Sequence, residues 1–275
     1  MTTKTDSARI ISPSDWGPDL GLCKGAGSVR EVVGPLVGAT TRSLYWIELA
    51  QGSSTISMKH PGEAVYYVVS GNVRVESTTG LPISLNEGGM IHIGPATDYA
   101  IIADADAEVL GGPSPVDPDF GRPAEQFPGG QAAGEESRVR GFHRDEPGLM
   151  VPFISQDARL VVWYGAEAVT ANMNYVVLEP GERNKEHLHR YSEDTIFILE
   201  GEGIAEDVTN GTELSFGPRD VVHIPPMVVH AVRANPDNRV VSAGGPCPAD
   251  LDMLRAAGVD VDELSDELGL PVNLG

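Results

Sequence analysis

Residues 194–206 read DTIFILEGEGIAE: an apolar run built on Ile and Phe, a Gly-Glu-Gly turn, then a second short run. Runs of about four to eight β-branched and aromatic residues, separated by glycine, are the pattern of paired strands. A matching stretch, AVYYVVSGNVRVE, stands at 64–76. Downstream, GGMIHIGPATDYA (88–100) lines up with RDVVHIPPMVVHA (219–231), and GGPSPVDPDF (111–120) with GGPCPADLDM (244–253). The offset drifts only from 130 to 133 residues, so the order and spacing of the elements repeat together. A whole domain is duplicated.

Outward from these runs, RLVVWY (159–164), NYVVL (174–178) and RVVSA (239–243) have the same strand character. Pro180-Gly181, Pro225-Pro226 and above all Asn210-Gly211 supply the turns between them. Short antiparallel strands with tight turns predict an all-β protein whose sheets close into barrels or jelly rolls, which hides their edges. The repeat predicts a first domain over 28–120 and a second over 144–258. Residues 121–143 have no apolar periodicity and read as a connection. Pro248 to Ala257 is expected to form a short helix closed by Gly258, and 262–268 another within a tail over 259–275. Both helices are expected to cover barrel ends.

Composition narrows the class of partner. Of 275 residues, 41% are hydrophobic and 21% charged, as in a globular protein. The formal charge of −21 repels nucleic acid and anionic membrane surfaces, which leaves a small molecule as the expected partner. Cys23 and Cys247 are too few and too far apart for a disulfide framework or a thiolate cluster. MTTKTDSARI has no apolar core of a signal peptide, and no run reaches the ~18–20 apolar residues of a membrane span. A cytoplasmic location is the expectation.

The chemistry sits in the second copy. His187 and His189 are one residue apart, so on a strand both imidazoles enter the barrel from one face. Glu193-Asp194 heads the next strand, and His230 follows the Pro-Pro turn. Three neutral imidazoles and a carboxylate suit Fe, Mn, Ni, Zn or Cu. Glu193 and Asp194 are adjacent and should face opposite ways. Ile196, Ile198, Val222 and Val232 share the ligands' parity and predict an apolar pocket, while Arg183 and Lys185 share it and either anchor an anion or lie exposed in the Pro-Gly turn region. His92 and His223 hold equivalent positions in the two copies and read as structural. His143 reads as exposed, Trp163, Tyr164, Tyr175 and Phe197 as barrel core, and Cys247 as a packed thiol.

Gly181-x5-His187-x-His189-x4-Asp194-x6-Gly201 resembles the first cupin motif, and Gly217 with Ile224-Pro225-Pro226-Met227-Val228-Val229-His230 resembles the second. The resemblance spans about 110 residues of the C-terminal half, and more weakly the N-terminal half, so the whole resembles a bicupin. It implies two tandem jelly-roll barrels with short C-terminal helices. It also implies one divalent transition metal, Fe or Mn before Zn, Ni or Cu, on His187, His189, Asp194 and His230. Asp stands where cupins usually carry Glu, and Met227 where they usually carry Gly. Glu193 is the rival carboxylate, and a three-histidine site with no carboxylate bond is the remaining option. In the first copy Met58, His60, Ala64 and Tyr99 occupy the motif positions, so that barrel is expected to be metal-free. Glu63 beside His60 is the alternative site there.

Such a centre implies a metal-dependent enzyme, foremost a dioxygenase acting on a small aromatic or 1,3-dicarbonyl compound, with Asp194 catalytic. The alternative is redox-neutral chemistry on the same metal: a decarboxylase, a hydrolase of the ureidoglycine type, a lyase or an isomerase. A non-enzymatic small-molecule binding protein is the third reading, since fold does not fix function. Either a monomer or a homodimer is expected.

Overall fold

A computed structural model describes residues 7–78, 80–126 and 138–268, with side chains through 264. The chain forms two compact units: Asp15–Glu146, and Pro147–Gly275 together with Met1–Ser14. Each unit is almost entirely antiparallel sheet, in keeping with the short apolar runs of the sequence.

In the second unit a seven-stranded sheet runs in the order Arg9–Ile11, Val221–Ile224, Glu193–Glu200, Val240–Cys247, Met173–Leu178, Asp157–Val162 and Leu149–Met150. A three-stranded sheet is formed by Thr212–Phe216, Gly203–Asp207 and His230–Ala234. Ile198, Val222 and Val240 of the larger sheet pack with Ala205, Phe216 and Val232 of the smaller. This is the sandwich of a jelly roll. Asn210-Gly211 makes the hairpin between Gly203–Asp207 and Thr212–Phe216, with the Asn210 N–H held by Asp207 Oδ1 at 2.9 Å.

The first unit repeats the plan. Its larger sheet orders Val139–His143, Gly89–Ile93, Glu63–Ser70, Ala107–Ser114, Leu44–Leu49 and Gly27–Val33. Its second sheet centres on Asp98–Ala103 and Asn72–Glu76. Tyr45, Ile47, Tyr66, Val73, Ile91 and Tyr99 fill the space between.

The repeated Gly-Gly-Pro has a steric cause. Gly244 lies at φ +137, and a Cβ there would overlap the carbonyl oxygen of Thr195 on the neighbouring strand. Gly111 stands in the same relation to the Val65 carbonyl. Glycine is what lets each strand lie flat against the strand that bears the motif carboxylate position.

The ends of the sheets differ from the sequence reading. Residues 139–143 form a strand, not part of a connection; they pair with Gly89–Ile93 and set Arg140 opposite His92. Val-Arg-Gly-Phe-His carries little apolar periodicity because this edge strand is only half-buried. Residues 127–137 of the expected connection, and 269–275 of the tail, lie outside the described residues. One repeat apart, Arg9–Ile11 pairs with Val221–Ile224 and sets Arg9 opposite His223. The Ala8 N–H is held by the buried Asp207 carboxylate at 2.9 Å. The arm leading into one barrel thus completes the sheet of the other.

Two helices follow the last strand, α1 (Leu251–Ala256) and α2 (Val261–Leu268), near their predicted positions. Asp250 caps α1, and Leu254 packs with Val151 and Leu160. Among the described residues no helix is long and apolar enough to cross a membrane.

Ile11 is buried against the second unit. Ile11→Ala is expected to cost about 2–4 kcal/mol, as large-to-small core changes do. Hydrogen exchange should then accelerate in 221–224 and leave 89–93 unchanged; the reverse pattern would refute the assignment of the arm.

Candidate metal centre

His230 opens the strand His230–Ala234, whereas His187 lies on an extended run outside any regular strand. That run is tied down by single bridges, His187 to His230 and Arg183 to Arg233. The sequence reading put His187 and His189 on a continuous strand; only the alternation of faces holds. Extended backbone suffices to bring both rings to one side. The His187 and His230 ring centroids are 4.3 Å apart, and His189 lies 5.1 Å from His187 and 5.4 Å from His230.

Each ring's orientation has a physical cause. His187 Nδ1 donates to the Lys185 carbonyl and His230 Nδ1 to the Val228 carbonyl, each at 2.9 Å. This fixes the tautomer and leaves both Nε2 lone pairs facing inward. Asp194 Oδ2 lies 3.6 Å from His189 Nε2 and 3.5 Å from His230 Nε2. Those separations are longer than hydrogen bonds. Two donors each about 2.1 Å from one ion at the tetrahedral angle would lie roughly 3.4 Å apart. One donor atom from each of His187, His189, Asp194 and His230 falls within 4.8 Å of the others.

The cluster is also unsatisfied. His189 Nε2, His230 Nε2 and Asp194 Oδ1 are buried and have no hydrogen-bond partner. Unpaired polar atoms on one buried point are costly unless something binds them. Donor type, spacing and burial together fit a divalent transition ion.

Electrostatics follow from the crowding. Burial alone would raise the Asp194 carboxyl, but His189 and His230 overcome it and hold the group well below the usual carboxylate range. Burial would lower His189, yet Asp194 and Asp250 lift it to about 9. Burial, then His230 and His189, push His187 down to about 3.

The neighbouring carboxylate faces away. Glu193 lies 3.6 Å from His223 Nε2, and its counterpart Glu63 lies 3.4 Å from His92 Nε2. A buried Glu–His pair is thus repeated on the outer side of each motif strand. Met227, at φ +69, takes the left-handed turn position, and its N–H donates to the His189 carbonyl at 2.7 Å.

A cavity of about 60 Å³ opens beside the cluster, lined by Ile154, Val176, Ile196, Val232 and Met253 with the amide of Asn174. Ile198 and Val222, expected in its wall, lie in the sheet core instead. Among the described residues no Lys or Arg lines it. Of the two readings of Arg183 and Lys185, the exposed one holds: Arg183 is turned outward to Glu206 and Glu186, and Lys185 is exposed. A turn rich in charge solvates its cations on the surface, whatever their parity. His143 is half-buried rather than exposed, and it pairs with Asp145 at 3.2 Å. Phe197 and Tyr164 are buried, whereas Trp163 and Tyr175 are half-buried. Cys247 is buried and hydrogen-bonds the backbone of Asn172.

The first unit fills the same space differently. Met58 pairs with Tyr99 as His187 does with His230. His60 Nε2 meets the Tyr99 hydroxyl and His60 Nδ1 meets Asp117 Oδ2, each at 2.8 Å. The Tyr66 and Tyr99 hydroxyls bond to each other. Both ring nitrogens of His60 are thereby occupied, and Glu63 faces His92, so the alternative His60–Glu63 site does not form. Tyr45, Tyr66 and Phe120 stand where the second unit has Asn174, Ile196 and Met253. Sequence reasoning passed over Asp250 and Asn174, although the repeated Asp of GGPSPVD and GGPCPAD marked the first of them.

A raised His189 contributes stability that is complete below its unfolded value near 6.5 and is lost as pH rises through about 9. The melting temperature of chelator-treated protein, minus that of His189→Gln, is therefore expected to fall between about pH 6.5 and 9. A flat difference would contradict the arrangement.

A cupin domain family model matches residues 174–243. No curated protein matches the chain in sequence. Solved structures do resemble it. The formate complex of Lactobacillus farciminis oxalate decarboxylase is 16% identical, with a TM-score of 0.67 over 98% of this chain and 96% of that one. The protein YlbA of E. coli is 15% identical, with a TM-score of 0.63 over 87% and 90% of the two chains. Vicilin from Corylus avellana is 12% identical, with a TM-score of 0.62 over 87% and 85%. Identities this low carry the fold alone. Residues 174–243 thus match a cupin domain, and the duplicated jelly rolls share the fold of these solved structures over most of the chain.

Proposed function

We propose that the chain is a metal-dependent enzyme holding one divalent ion, Fe or Mn before others, on His187, His189, Asp194 and His230. We further propose that it is a dioxygenase acting on a small aromatic or 1,3-dicarbonyl compound. The observation that carries this reading is the four-donor cluster opening on a small apolar cavity without a cation. When bound, such an ion supplies Lewis acidity and, as Fe or Mn, redox chemistry with dioxygen.

The chain's own residues have separable tasks. The aliphatic wall excludes water and selects an apolar body. The amide of Asn174, whose Oδ1 is buried without a partner, suits a substrate hydroxyl or carbonyl once its orientation is chosen. Asp194 Oδ1 is unpartnered and is the proton acceptor for an acidic C–H or O–H. The first barrel, with His60 fully engaged, is metal-free and serves as scaffold.

A redox-neutral decarboxylase is the second reading, favoured by the fold likeness to an oxalate decarboxylase over nearly the whole chain. The missing cation in the cavity weighs against a dianion as its substrate.

Elemental analysis is expected to find one ion per chain. His189→Ala and His230→Ala should lose it and His60→Ala should keep it. Asp194→Ala should retain it less well than Glu193→Ala; the opposite order transfers the carboxylate role to Glu193. With Fe(II) or Mn(II) and a panel of 1,3-diketones and catechols, an oxygen electrode should record uptake in step with substrate loss. Turnover under strict anoxia, with release of CO2, would replace the dioxygenase by the decarboxylase.

A further inference from the structure

Asp250 ends the repeated Gly-Gly-Pro-x-Pro-x-Asp and is 8% exposed. Its two carboxylate oxygens point to different partners. Oδ1 accepts from the Asp252 and Met253 N–H groups at 2.9 and 3.1 Å, capping α1. Oδ2 lies 3.7 Å from His189 Nδ1, a buried nitrogen without a hydrogen-bond partner. His187 and His230 have backbone carbonyls behind their Nδ1 atoms; behind His189 stands this carboxylate.

The first unit has the same device drawn tight. Asp117 Oδ2 meets His60 Nδ1 at 2.8 Å, and Asp117 Oδ1 accepts from the Asp119 N–H at 3.0 Å. Phe120, the counterpart of Met253, stacks on the His60 ring at 5.5 Å between centroids. The aspartate–imidazole pairing is thus a property of the repeat, present even where the inward nitrogen meets a tyrosine.

We propose that Asp250 is a positioning residue for the metal centre. Its charge, 3.7 Å from His189 Nδ1, favours the tautomer protonated there, which commits Nε2 to the ion, and through its other oxygen it caps α1. Since Met253 of α1 lines the cavity, metal ligation and the cavity wall share one side chain. This inference rests on reading the cluster as a metal centre.

The test uses the full chain and Co(II), with affinity measured by chelator competition and the ligand field read in the visible spectrum. Asp250→Asn keeps a good helix cap but presents an N–H₂ toward Nδ1, which favours the wrong tautomer of His189. Its Co(II) affinity is expected to fall about 10- to 100-fold, the usual effect of losing an outer partner of a ligand, with an altered spectrum. Asp117→Asn, the matching change in the first unit, should leave Co(II) affinity within about twofold. Asp250→Asn with wild-type affinity and spectrum would overturn the proposal and reduce Asp250 to a helix cap. Should Asp250→Asn fail to fold, nitrogen-15 histidine spectra of the Zn(II)-loaded wild type decide. A protonated Nδ1 on His189 supports the proposal, and an unprotonated one overturns it. Wild-type protein that binds neither Co(II) nor Zn(II) removes the metal reading and this inference with it.

Discussion

Asp194 is a carboxylate withdrawn from water into a barrel of aliphatic side chains, and the second unit is arranged around that fact. Leaving a charge unpaired in such a place costs several kcal/mol. Here the compensation comes from His189 and His230 within ion-pair range. The imidazoles cannot turn away to seek other partners, because backbone carbonyls hold the outer nitrogens of His187 and His230. A cation at their centre answers every unpaired inward atom at once. A proton on His189 answers only part of them.

The duplication supplies an internal comparison. Both units keep the glycine that lets strands lie close, the Glu–His pair behind the motif strand, and the aspartate behind the second motif position. They differ in what fills the centre. In the first, Tyr45, Tyr66, Tyr99 and Phe120 occupy the volume, and the Tyr66 and Tyr99 hydroxyls and His60 satisfy one another. In the second, smaller side chains leave a cavity and inward nitrogens without partners. One framework therefore yields a closed core or an open site, according to a handful of side chains. The retained parts hold the framework, and the exchanged parts set the chemistry.

Much of this was legible in the sequence because it depends on local pattern. Apolar runs, Asn210-Gly211 and the repeat gave the sheets, and the parity of His187, His189 and Asp194 indicated a shared face. The strand at 139–143 escaped notice because an edge strand buries only part of one face and needs no apolar alternation. Arg183 and Lys185 stay undecided in the sequence because parity says which way a side chain starts, while surface carboxylates such as Glu206 decide where a long cation ends. Asp250 is marked in the sequence only as a repeated residue, since its distance from His189 in the sequence conceals a contact made only when the last strand returns to the motif strand. Asn174 becomes informative only when compared with the tyrosine that replaces it in the other copy.

The crossed arms bear on how the protein comes into being. Gly89–Ile93 waits for residues 139–143 before its outer edge is covered, and Val221–Ile224 receives an arm that left the ribosome more than two hundred residues earlier. The two halves of the gene are therefore not equivalent. Asp15–Glu146 is one unbroken stretch that carries its own covering strand, whereas the second barrel draws Arg9–Ile11 from the far end of the chain. A cut after Glu146 would leave the first barrel its strands and strip the second of an edge, so simple truncation recovers one module of the duplication and not the other.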